Sequence, residues 1–286
     1  MILKHQHFDI LQKVVLERGV FNPPFKADTT MHNEACFLYA VNGESKLYAA
    51  TEKMSLNSND GVVLKCGNYL NNWLKTSSKG PSEAIAIHFY PEVLQLIYDN
   101  ELPDFLKSNR ESKAATIERV KINKMIESYM ESIMFYFENP PLVNDELIKL
   151  KVKELIMLLV NSDNTGKVAD ILKDLFNPIK YEFKDIINSN LYENLSVDDL
   201  AILTGTSTST FKRKFNDIFN DSPARYIKNK RLEKATKLLS NEDKRISDIC
   251  YEVGFSDPTY FTKSFTEKYG ISPSLYRLSQ LDQISN

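Results

Sequence analysis

The sequence contains little cysteine and no long run of apolar residues. Three of its 286 residues are cysteines, and Cys36, Cys66 and Cys250 are too scattered to predict a disulfide framework or a metal-binding cysteine pair. This usage is typical of a reducing compartment, so we expect a cytoplasmic protein. No stretch of about eighteen apolar residues occurs, and the N-terminus does not have the pattern of a signal sequence. We therefore expect no membrane segment.

Motifs that accompany catalysis are also missing. The sequence has no phosphate-binding loop, no glycine-rich dinucleotide motif and no recognisable Ser-His-Asp pattern. We therefore expect a protein that is not an enzyme and that needs no cofactor.

The charge is nearly balanced. Hydrophobic residues make up 42% of the chain and charged residues 26%, which is ordinary for a globular protein, and the length suggests about two domains. The net charge is −2; from Ile179 onward, 16 Lys and Arg face 15 Asp and Glu, a balance of +1 that leaves −3 for residues 1–178. Any binding of nucleic acid must therefore depend on where the cations cluster.

The C-terminal part of the chain contains the same segment twice. Counted from Phe211 and from Phe261, aromatic residues recur four, eight and fifteen positions later, and Ser-Pro falls at one shared offset. The matched pairs are Phe215 and Phe265, Phe219 and Tyr269, Ser222-Pro223 and Ser272-Pro273, and Tyr226 and Tyr276. Such agreement indicates one supersecondary unit present twice.

The first copy has the capping and turn residues of a helix-turn-helix. Ser196 is placed to cap a short helix over 197–204, Gly205 supplies the turn, and Ser207 is placed to cap a second helix that ends at Asn220. Phenylalanines at four-residue spacing form an apolar stripe on this second helix, so we expect them in the core. The residues expected to face outward are Ser209, Lys212, Arg213 and Asn216.

The second copy repeats this pattern with other residues. A short helix from Ser247 leads to a turn at Gly254, and the next helix begins at Ser256 or Asp257, with Pro258 in its first turn. Its expected outward residues are Thr259, Tyr260, Lys263 and Thr266. Between the copies, Ser222-Pro223 begins a helix of roughly seventeen residues, on the order of 26 Å long. This length is close to the roughly 34 Å that separates successive major grooves on one face of DNA.

At these positions the chain resembles the AraC/XylS family of bacterial transcription regulators. The resemblance covers about Tyr181 to Arg277 and is carried by the segments LSVDDLA, STFKRKF, SPARYIKNKRLEKATKLL, ISDICYEVGFSD and YFTKSFTEKYGISPSLYR. In that family two helix-turn-helix units joined by a long helix insert their outer helices into successive major grooves. The resemblance thus implies an all-α, homeodomain-like DNA-binding domain over 180–286, with units at 196–220 and 246–270.

The same resemblance implies which side chains contact DNA. Matched position by position, the family's base-contacting residues correspond to Ser209, Lys212, Arg213, Thr259, Tyr260 and Lys263. An arginine can bridge the O6 and N7 atoms of guanine. Many relatives have arginine where Lys263 stands, so the second helix either reads fewer bases or chiefly holds phosphate. By analogy, the residues expected to be phosphate contacts or surface charges are Lys214, Lys228, Lys230 and Arg231.

Ahead of this domain, short β-type runs are separated by turn formers. The runs are VVLERGVF, CFLYAVNGESKLYAA, GVVLKCGNYL and EAIAIHFY. Their spacing predicts a small barrel or sandwich, and Asn42-Gly43 predicts a hairpin. In the AraC/XylS family a cupin-like barrel commonly occupies this position, which implies an α+β, two-domain protein with a cupin-like regulatory domain over 1–112.

A cupin-like barrel could bind an effector or a metal. Metal cupins carry a His-X-His pair on one strand, whereas His5 and His7 lie at the extreme N-terminus, ahead of the expected barrel. We therefore expect no metal. The side chains that could line an effector pocket are His32, Glu34, Tyr39, Tyr48, Trp73 and His88, each of which could equally be a core or surface residue.

Residues 113–161 have apolar positions at helical spacing. We expect an apolar helix pair that is buried against the barrel or against a second copy of the protein, and we interpret the region as a dimerisation region. The run from Asn161 to Gly166 predicts the start of a linker over 162–179. The pattern of leucines and lysines before this linker resembles the ExsA-like subgroup, in which the N-terminal part dimerises and is controlled by partner proteins.

Together these features predict a sequence-specific regulator, an activator, that binds double-stranded DNA as a homodimer and contacts RNA polymerase. Its input is either a small molecule or a protein acting on the N-terminal domain, and the lack of a polar ligand cluster favours a protein. An adaptor whose helix-turn-helix units bind protein is an alternative from another class, supported only by the near-neutral charge of the C-terminal part. The effector, the target promoters, the choice between activation and repression, the dimer geometry and the bound base sequence are not encoded in any motif.

Overall fold

The computed structural model describes residues 1–75, 80–101, 103, 106, 116–163, 165–173, 175, 181–241 and 244–284. The chain divides into two compact units, Met1–Tyr181 and Glu182–Asn286.

The first unit is built from strands with a layer of helices. Its strands are β1 (Ile2–Ile10), β2 (Lys13–Phe21), β3 (Phe25–Met31), β4 (Ala35–Asn42), β5 (Ser45–Tyr48), β6 (Lys53–Leu56), β7 (Gly61–Leu64), β8 (Gly67–Trp73), β9 (Ser82–Phe89) and β10 (Ile117–Val120). Its helices are α1 (Pro91–Ile97), α2 (Lys124–Glu138), α3 (Asp145–Ser162) and α4 (Lys167–Lys173), with a short 3₁₀ helix at Pro140–Leu142.

The strands form two antiparallel sheets. The larger has the order β1-β2-β9-β4-β7-β10, and the smaller has the order β3-β8-β5-β6. Apolar residues of both sheets, such as Cys36, Leu47 and Trp73, form one buried cluster between them. The predicted fold class, a cupin-like β domain followed by an all-α domain, is confirmed, although the β domain is a pair of sheets and not a closed barrel.

The helices cover the other face of the larger sheet. Side chains alternate along β4 and β9, so that Phe37, Ile85 and Ile87 point away from the intersheet cluster and pack in a second core with α2 and α3. The helical residues in this second core include Ile126, Tyr129, Ile133, Phe137, Val152, Leu155 and Leu159. The sequence left two packing partners open for the helix pair, the strand domain and a second copy of the protein. The inner face of the pair packs on the strand domain.

Two parts of the sequence that we expected to lie outside the sheets are strands. The first is β1, which carries His5 and His7 and pairs with β2 in the larger sheet. The second is β10, at the start of the region expected to be helical, which pairs with β7. Ile117 and Val120 are buried. Their burial stabilises a strand at the sheet edge, although a four-residue strand gives only a weak local signal in the sequence. Residues 113–115 lie outside the described part of the chain.

The predicted hairpin at Asn42-Gly43 is wrong. The strands on either side of it, β4 and β5, do not pair: β4 lies between β9 and β7, whereas β5 lies between β8 and β6. The segment instead carries the chain from one sheet to the other. Gly43 has φ of 112°, and a Cβ atom there would lie 2.4 Å from Ser82 Oγ, so glycine is required for both conformation and space.

The expected linker over 162–179 is also wrong for its central residues. Residues 167–173 form α4, and Val168, Ile171 and Leu172 are buried in the same core as α2 and α3. These three residues recur at helical spacing, and removing them from water stabilises α4 on the first unit. Within the expected linker, residues 164, 174 and 176–180 lie outside the described part of the chain.

The second unit consists of helices. They are α5 (Phe183–Asn190), α6 (Val197–Leu203), α7 (Thr208–Phe219), α8 (Pro223–Asn241), α9 (Ile246–Glu252), α10 (Pro258–Tyr269) and α11 (Pro273–Ile284). Helices α6 and α7 form the first helix-turn-helix, α9 and α10 form the second, and α8 joins them. None of the helices in the described part of the chain combines the length and apolar character that a bilayer-spanning helix requires.

Local signals account for most of the second unit. Ser196 forms a capping box with Asp199, and Asp257 caps α10 with Pro258 in its first turn. Asn220 and Gly270 end α7 and α10 in the left-handed conformation, with φ of 52° and 78°. The aromatic stripes are core, as predicted: Phe211, Phe215, Phe261 and Phe265 are fully buried.

Replacing Ile171 with Ala tests the role of α4. Ile171 is fully buried, so we expect the free energy of unfolding of the first unit to fall by about 2–5 kcal/mol. Trp73, the single tryptophan of the chain and a buried residue of this unit, reports unfolding in urea through its fluorescence. The matched control is Leu96→Ala, an exposed leucine on α1 whose loss should change stability by less than about 0.5 kcal/mol. Equal effects of the two substitutions would show that α4 does not stabilise the unit.

Candidate nucleic-acid interface

The outer helix of the first copy, α7, presents polar residues on its open face. Ser207 caps it by accepting the Thr210 N–H at 3.3 Å, and Phe211 and Phe215 anchor it to the core. The three sequence-predicted contact residues, Ser209, Lys212 and Arg213, are exposed. Among the residues that the structure describes, neither Lys212 nor Arg213 forms an ion pair, so both charges are available to a ligand.

The outer helix of the second copy, α10, is presented in the same way. The Asp257 carboxylate accepts the N–H groups of Thr259 at 2.9 Å and Tyr260 at 3.2 Å. Thr259, Tyr260 and Lys263 are exposed, and the Tyr260 ring is 52% exposed with its centroid 6.0 Å from that of Phe255. The structure therefore brings each predicted triplet together on one face of its own helix.

The two open faces differ in charge although their cores match. Arg213 and Lys263 occupy the same position relative to the first phenylalanine of each copy. Around Arg213, however, α7 has Lys212 and Lys214, where α10 has Thr262 and Ser264. The first helix is thus the more cationic of the two.

Three further cations were expected to be phosphate contacts or surface charges. Lys214 is exposed, with its ammonium 4.8 Å from the centroid of the Phe183 ring. Lys230 forms an ion pair with Glu233 at 2.9 Å, and Lys228 is half-buried. Lys214 and Lys230 remain at the surface of the helical unit, where a phosphate could approach them.

Arg231 does not fit the predicted role. Its guanidinium donates hydrogen bonds to the backbone carbonyls of Leu191 and Gly254, each at 2.8 Å, and to that of Glu193. Burial lowers the pKa of Arg231, opposed by the nearby Glu193 charge, and arginine stays cationic at accessible pH. Because each of its three nitrogens donates within the protein, we correct the expectation that this side chain contacts phosphate. Sequence position on a basic helix carries no signal of this inward orientation.

A cavity of about 360 Å³ lies between the two sheets of the first unit. Of the six candidate effector-contacting residues, Trp73 and His88 line it. Tyr39 instead belongs to the helix-side core and donates to Asn59 Oδ1 at 3.1 Å. Of the other three, Tyr48 and Glu34 are buried without lining the cavity, and His32 is exposed.

Around His88, the cavity wall contains an ionic cluster that the sequence did not predict. His88 Nδ1 lies 2.9 Å from Glu34 and His88 Nε2 lies 3.3 Å from Glu17, whose other oxygen lies 2.6 Å from His5 Nε2. Glu17 lies on β2, which pairs with β9, and His5 lies on β1, which pairs with β2. Only this strand pairing brings the two side chains to His88. In the described residues, no group of three or more His, Cys, Asp and Glu side chains could hold a metal ion.

The cluster shifts the ionisation of its members. Burial alone would lower the pKa of His88, but the carboxylates of Glu17 and Glu34 overcome this and raise it to about 9. The hydrogen bond with His88 is the main reason that the pKa of Glu17 is lowered to about 2. His88 is therefore cationic and Glu17 anionic at neutral pH, and the pair is held together as ions.

Comparison with known proteins agrees with both units. A model described as a helix-turn-helix domain matches residues 200–279, and one described as the ExsA N-terminal regulatory domain matches residues 35–171. The transcriptional activator AarP of Providencia stuartii is 37% identical over 93 residues, which cover 32% of this chain and 69% of AarP. The regulator ExsA of Pseudomonas aeruginosa is 31% identical over 140 residues, or 49% of each chain.

The chain spans about half the length of ExsA and of other curated relatives that it matches. Among solved structures, ToxT from Vibrio cholerae aligns over 92% of this chain and 98% of ToxT, with 15% identity and a TM-score of 0.39.

Two helix-turn-helix units on a shared helix, each with an open polar face, give the C-terminal unit the architecture of DNA-binding helix-turn-helix domains. The chain belongs to the AraC/XylS family, and its N-terminal unit is of the ExsA type. ExsA and AarP are both described as regulators of transcription.

The His88 cluster makes the stability of the first unit depend on pH. The pKa of His88 is about 9 in the folded protein against 6.5 in the unfolded chain. Its contribution, on the order of 1–3 kcal/mol, is therefore complete below about pH 6.5 and is lost as the pH rises to about 9. Urea unfolding followed by Trp73 fluorescence should show this loss in wild type and a flatter profile in His88→Gln. His32→Gln, at an exposed histidine, should retain the wild-type profile; a parallel pH dependence in His88→Gln would contradict the assignment.

Proposed function

We propose that this chain is a cytoplasmic, sequence-specific DNA-binding transcription activator whose helices α7 and α10 enter successive major grooves. The observation that carries the proposal is the matched arrangement of these two helices. In both, two fully buried phenylalanines anchor the helix and leave the opposite polar face exposed. An α-helix anchored in this way fits the major groove, where base edges are distinguishable.

Within this proposal the six exposed residues of the open faces contact DNA. Arg213 is suited to a guanine, because two parallel hydrogen bonds to O6 and N7 match its planar guanidinium. Ser209 and Thr259 can each pair with more than one base, and Tyr260 offers its ring to a thymine methyl group. Lys212 and Lys263 act as readers or as phosphate contacts, and Lys214 and Lys228 hold phosphate.

Activation and a homodimer are further parts of the proposal. The name of AarP describes a transcriptional activator, and by analogy the DNA-bound protein would contact RNA polymerase. A homodimer is supported by apolar side chains that remain exposed on the helix pair of the first unit. These are Met125 and Phe135 on α2 and Leu150 and Met157 on α3. Exposed apolar residues at seven-residue spacing, such as those of α3, suit a helix-to-helix contact.

Control by the N-terminal unit is proposed to act through the cavity between its sheets. The cavity is lined mostly by apolar side chains, and three of its polar ones, His5, Glu17 and His88, are already bonded to one another. Asn71 Oδ1 lines it, is buried, and has no hydrogen-bond partner among the described residues. A compact, mostly apolar effector with one hydrogen-bond donor would satisfy this oxygen. A protein effector on the exposed helix surface is the alternative input.

A randomised-DNA selection tests the proposed function. Full-length protein should recover two short elements about ten base pairs apart, the separation of successive major grooves on one face. A parallel selection uses residues 179–286, which lack the N-terminal unit. If this fragment recovers a motif and the full-length protein does not, the N-terminal unit holds the full chain inactive. Failure of both proteins to recover any motif would overturn the DNA-reading proposal.

Replacing Arg213 with Ala should relax base preference at one position of the recovered site. Loss of two hydrogen bonds to a guanine costs roughly 1–3 kcal/mol of discrimination, so the preference should weaken between about fivefold and a hundredfold. Titration of the recovered site and its single-base variants measures this change. Lys228→Ala is the control: it should weaken binding to all variants alike and reduce the salt slope by about one. Identical base preferences in wild type and Arg213→Ala would count against direct reading by this residue.

Replacing Leu150 with Glu should weaken the proposed dimer. A carboxylate buried in a helix-to-helix contact is costly, so we expect dimer affinity to fall at least about tenfold, or 1.4 kcal/mol. Sedimentation measures the affinity, and Trp73 fluorescence in urea checks that the first unit stays folded. Leu96→Glu, at an exposed leucine on α1, should leave the dimer unchanged. Equal association of all three proteins would place any dimer contact elsewhere.

A further inference from the structure

Arg231 occupies a junction between the two helix-turn-helix units. It lies on α8, and its three guanidinium nitrogens donate to backbone carbonyls in two different segments. One segment, Leu191 to Glu193, follows α5 and leads into the first helix-turn-helix. The other is Gly254, the turn between the two helices of the second unit. A single side chain therefore connects the entry to one unit, the joining helix and the turn of the other.

A second contact holds the same junction. Lys234, one turn further along α8, places its ammonium 4.1 Å from the centroid of the Tyr192 ring. This ring belongs to the segment that Arg231 binds through Leu191 and Glu193. The segment is thus fixed to α8 at two points one helical turn apart, which restrains its rotation as well as its distance.

The turn of the second unit comes into direct contact with this segment. Gly254 has φ of 92°, and a Cβ atom there would lie 2.6 Å from the Tyr192 carbonyl oxygen and 3.0 Å from Arg231 Nε. The turn of the second unit therefore meets, backbone to backbone, the segment that leads into the first unit. Such a contact has no flexible side chain that could absorb a shift, so it holds one geometry.

The chemistry of the junction requires arginine. Its acceptors are three carbonyl oxygens, which point toward one side chain from different directions. A guanidinium offers five donors in a planar fork and can satisfy all three, whereas a lysine ammonium is a compact charge at the end of a flexible stem. Retention of charge alone would not restore this arrangement.

We propose that Arg231 is a positioning residue that fixes the separation and rotation of α7 relative to α10, and thereby the spacing of the two DNA elements that the protein recognises. This inference rests on the proposed function for its DNA part. One base pair changes the separation of two elements by about 3.4 Å and their relative rotation by about 34°. A rigid junction would therefore tolerate one spacing and reject its neighbours.

The test compares DNA sites that differ only in the number of base pairs between the two selected elements. Full-length wild type should lose affinity roughly tenfold or more when one base pair is added or removed, since one helix then leaves its groove. Arg231→Lys keeps the charge and should flatten this profile, with at most about a threefold difference between neighbouring spacings. Lys234→Met, a milder change at the same junction, should flatten it to a smaller degree.

The matched control is Lys237→Met, which removes an exposed charge from the same helix and should leave the spacing profile unchanged. A profile for Arg231→Lys that coincides with wild type would overturn the inference. So would a uniform loss of affinity at all spacings, which would indicate a phosphate contact. Thermal unfolding of each variant is recorded in parallel, and Lys234→Met carries the test if Arg231→Lys does not fold.

A measurement without DNA separates this inference from the proposed function. Spin labels at Asp217→Cys and Glu267→Cys, exposed and matched positions on α7 and α10, report the distance between the helices, and the native cysteines are buried. Wild type should give one narrow distance distribution, and Arg231→Lys a broader or displaced one. An unchanged distribution would overturn the positioning role. A broadened distribution, in a protein that selects no two-element site, would support that role and overturn the proposed function.

Discussion

Burial of two phenylalanine rings at four-residue spacing is the constraint on which each outer helix depends. The four-residue spacing places the rings of Phe211, Phe215 and Phe219 along one side of α7, and their ring centroids lie 5.6 and 4.5 Å apart in sequence order. Deleting one such ring from a core costs about 3–5 kcal/mol, far more than a cap or a surface ion pair contributes. The core therefore fixes the rotation of the helix about its own axis. This rotation in turn decides that Arg213, two residues after the first ring, faces solvent.

The duplication conserves this constraint and leaves the outer surface free to differ. In both copies the outer helix ends in a left-handed residue, and a tyrosine of the following helix packs edge-on against the middle ring, Phe215 in one case and Phe265 in the other. Although the cores of the two copies match, the outward faces of α7 and α10 differ in charge. Two outer helices of one architecture can thus make unequal contacts, while the junction at Arg231 and Gly254 keeps them in one geometry.

The helix-turn-helix units could be predicted from the sequence because their signals are local. Ser196, Asp257 and the aromatic stripes each act within one or two helical turns, and the resemblance to the family rests on the same segments. The errors concern long-range pairing. Asn42-Gly43 has the residues of a hairpin, but the register of β4 with β9 sends the chain to the other sheet. The ionic cluster at His88 and the inward direction of Arg231 likewise depend on segments far apart in sequence, such as residues 191–193 and 254. No spacing within α8 distinguishes an arginine that binds carbonyls from one that faces solvent.

The alternation of side chains along β4 and β9 has a mechanical consequence for the N-terminal unit. Successive residues of the same strand face the intersheet cavity and the helix layer, as Ala84, Ala86 and His88 do on one side and Ile85 and Ile87 on the other. Only one thickness of backbone separates the two compartments. A densely packed interior transmits strain and does not absorb it, so a change of volume in the cavity displaces the strand on which α2 and α3 rest. The larger sheet thus couples the cavity mechanically to the helix layer.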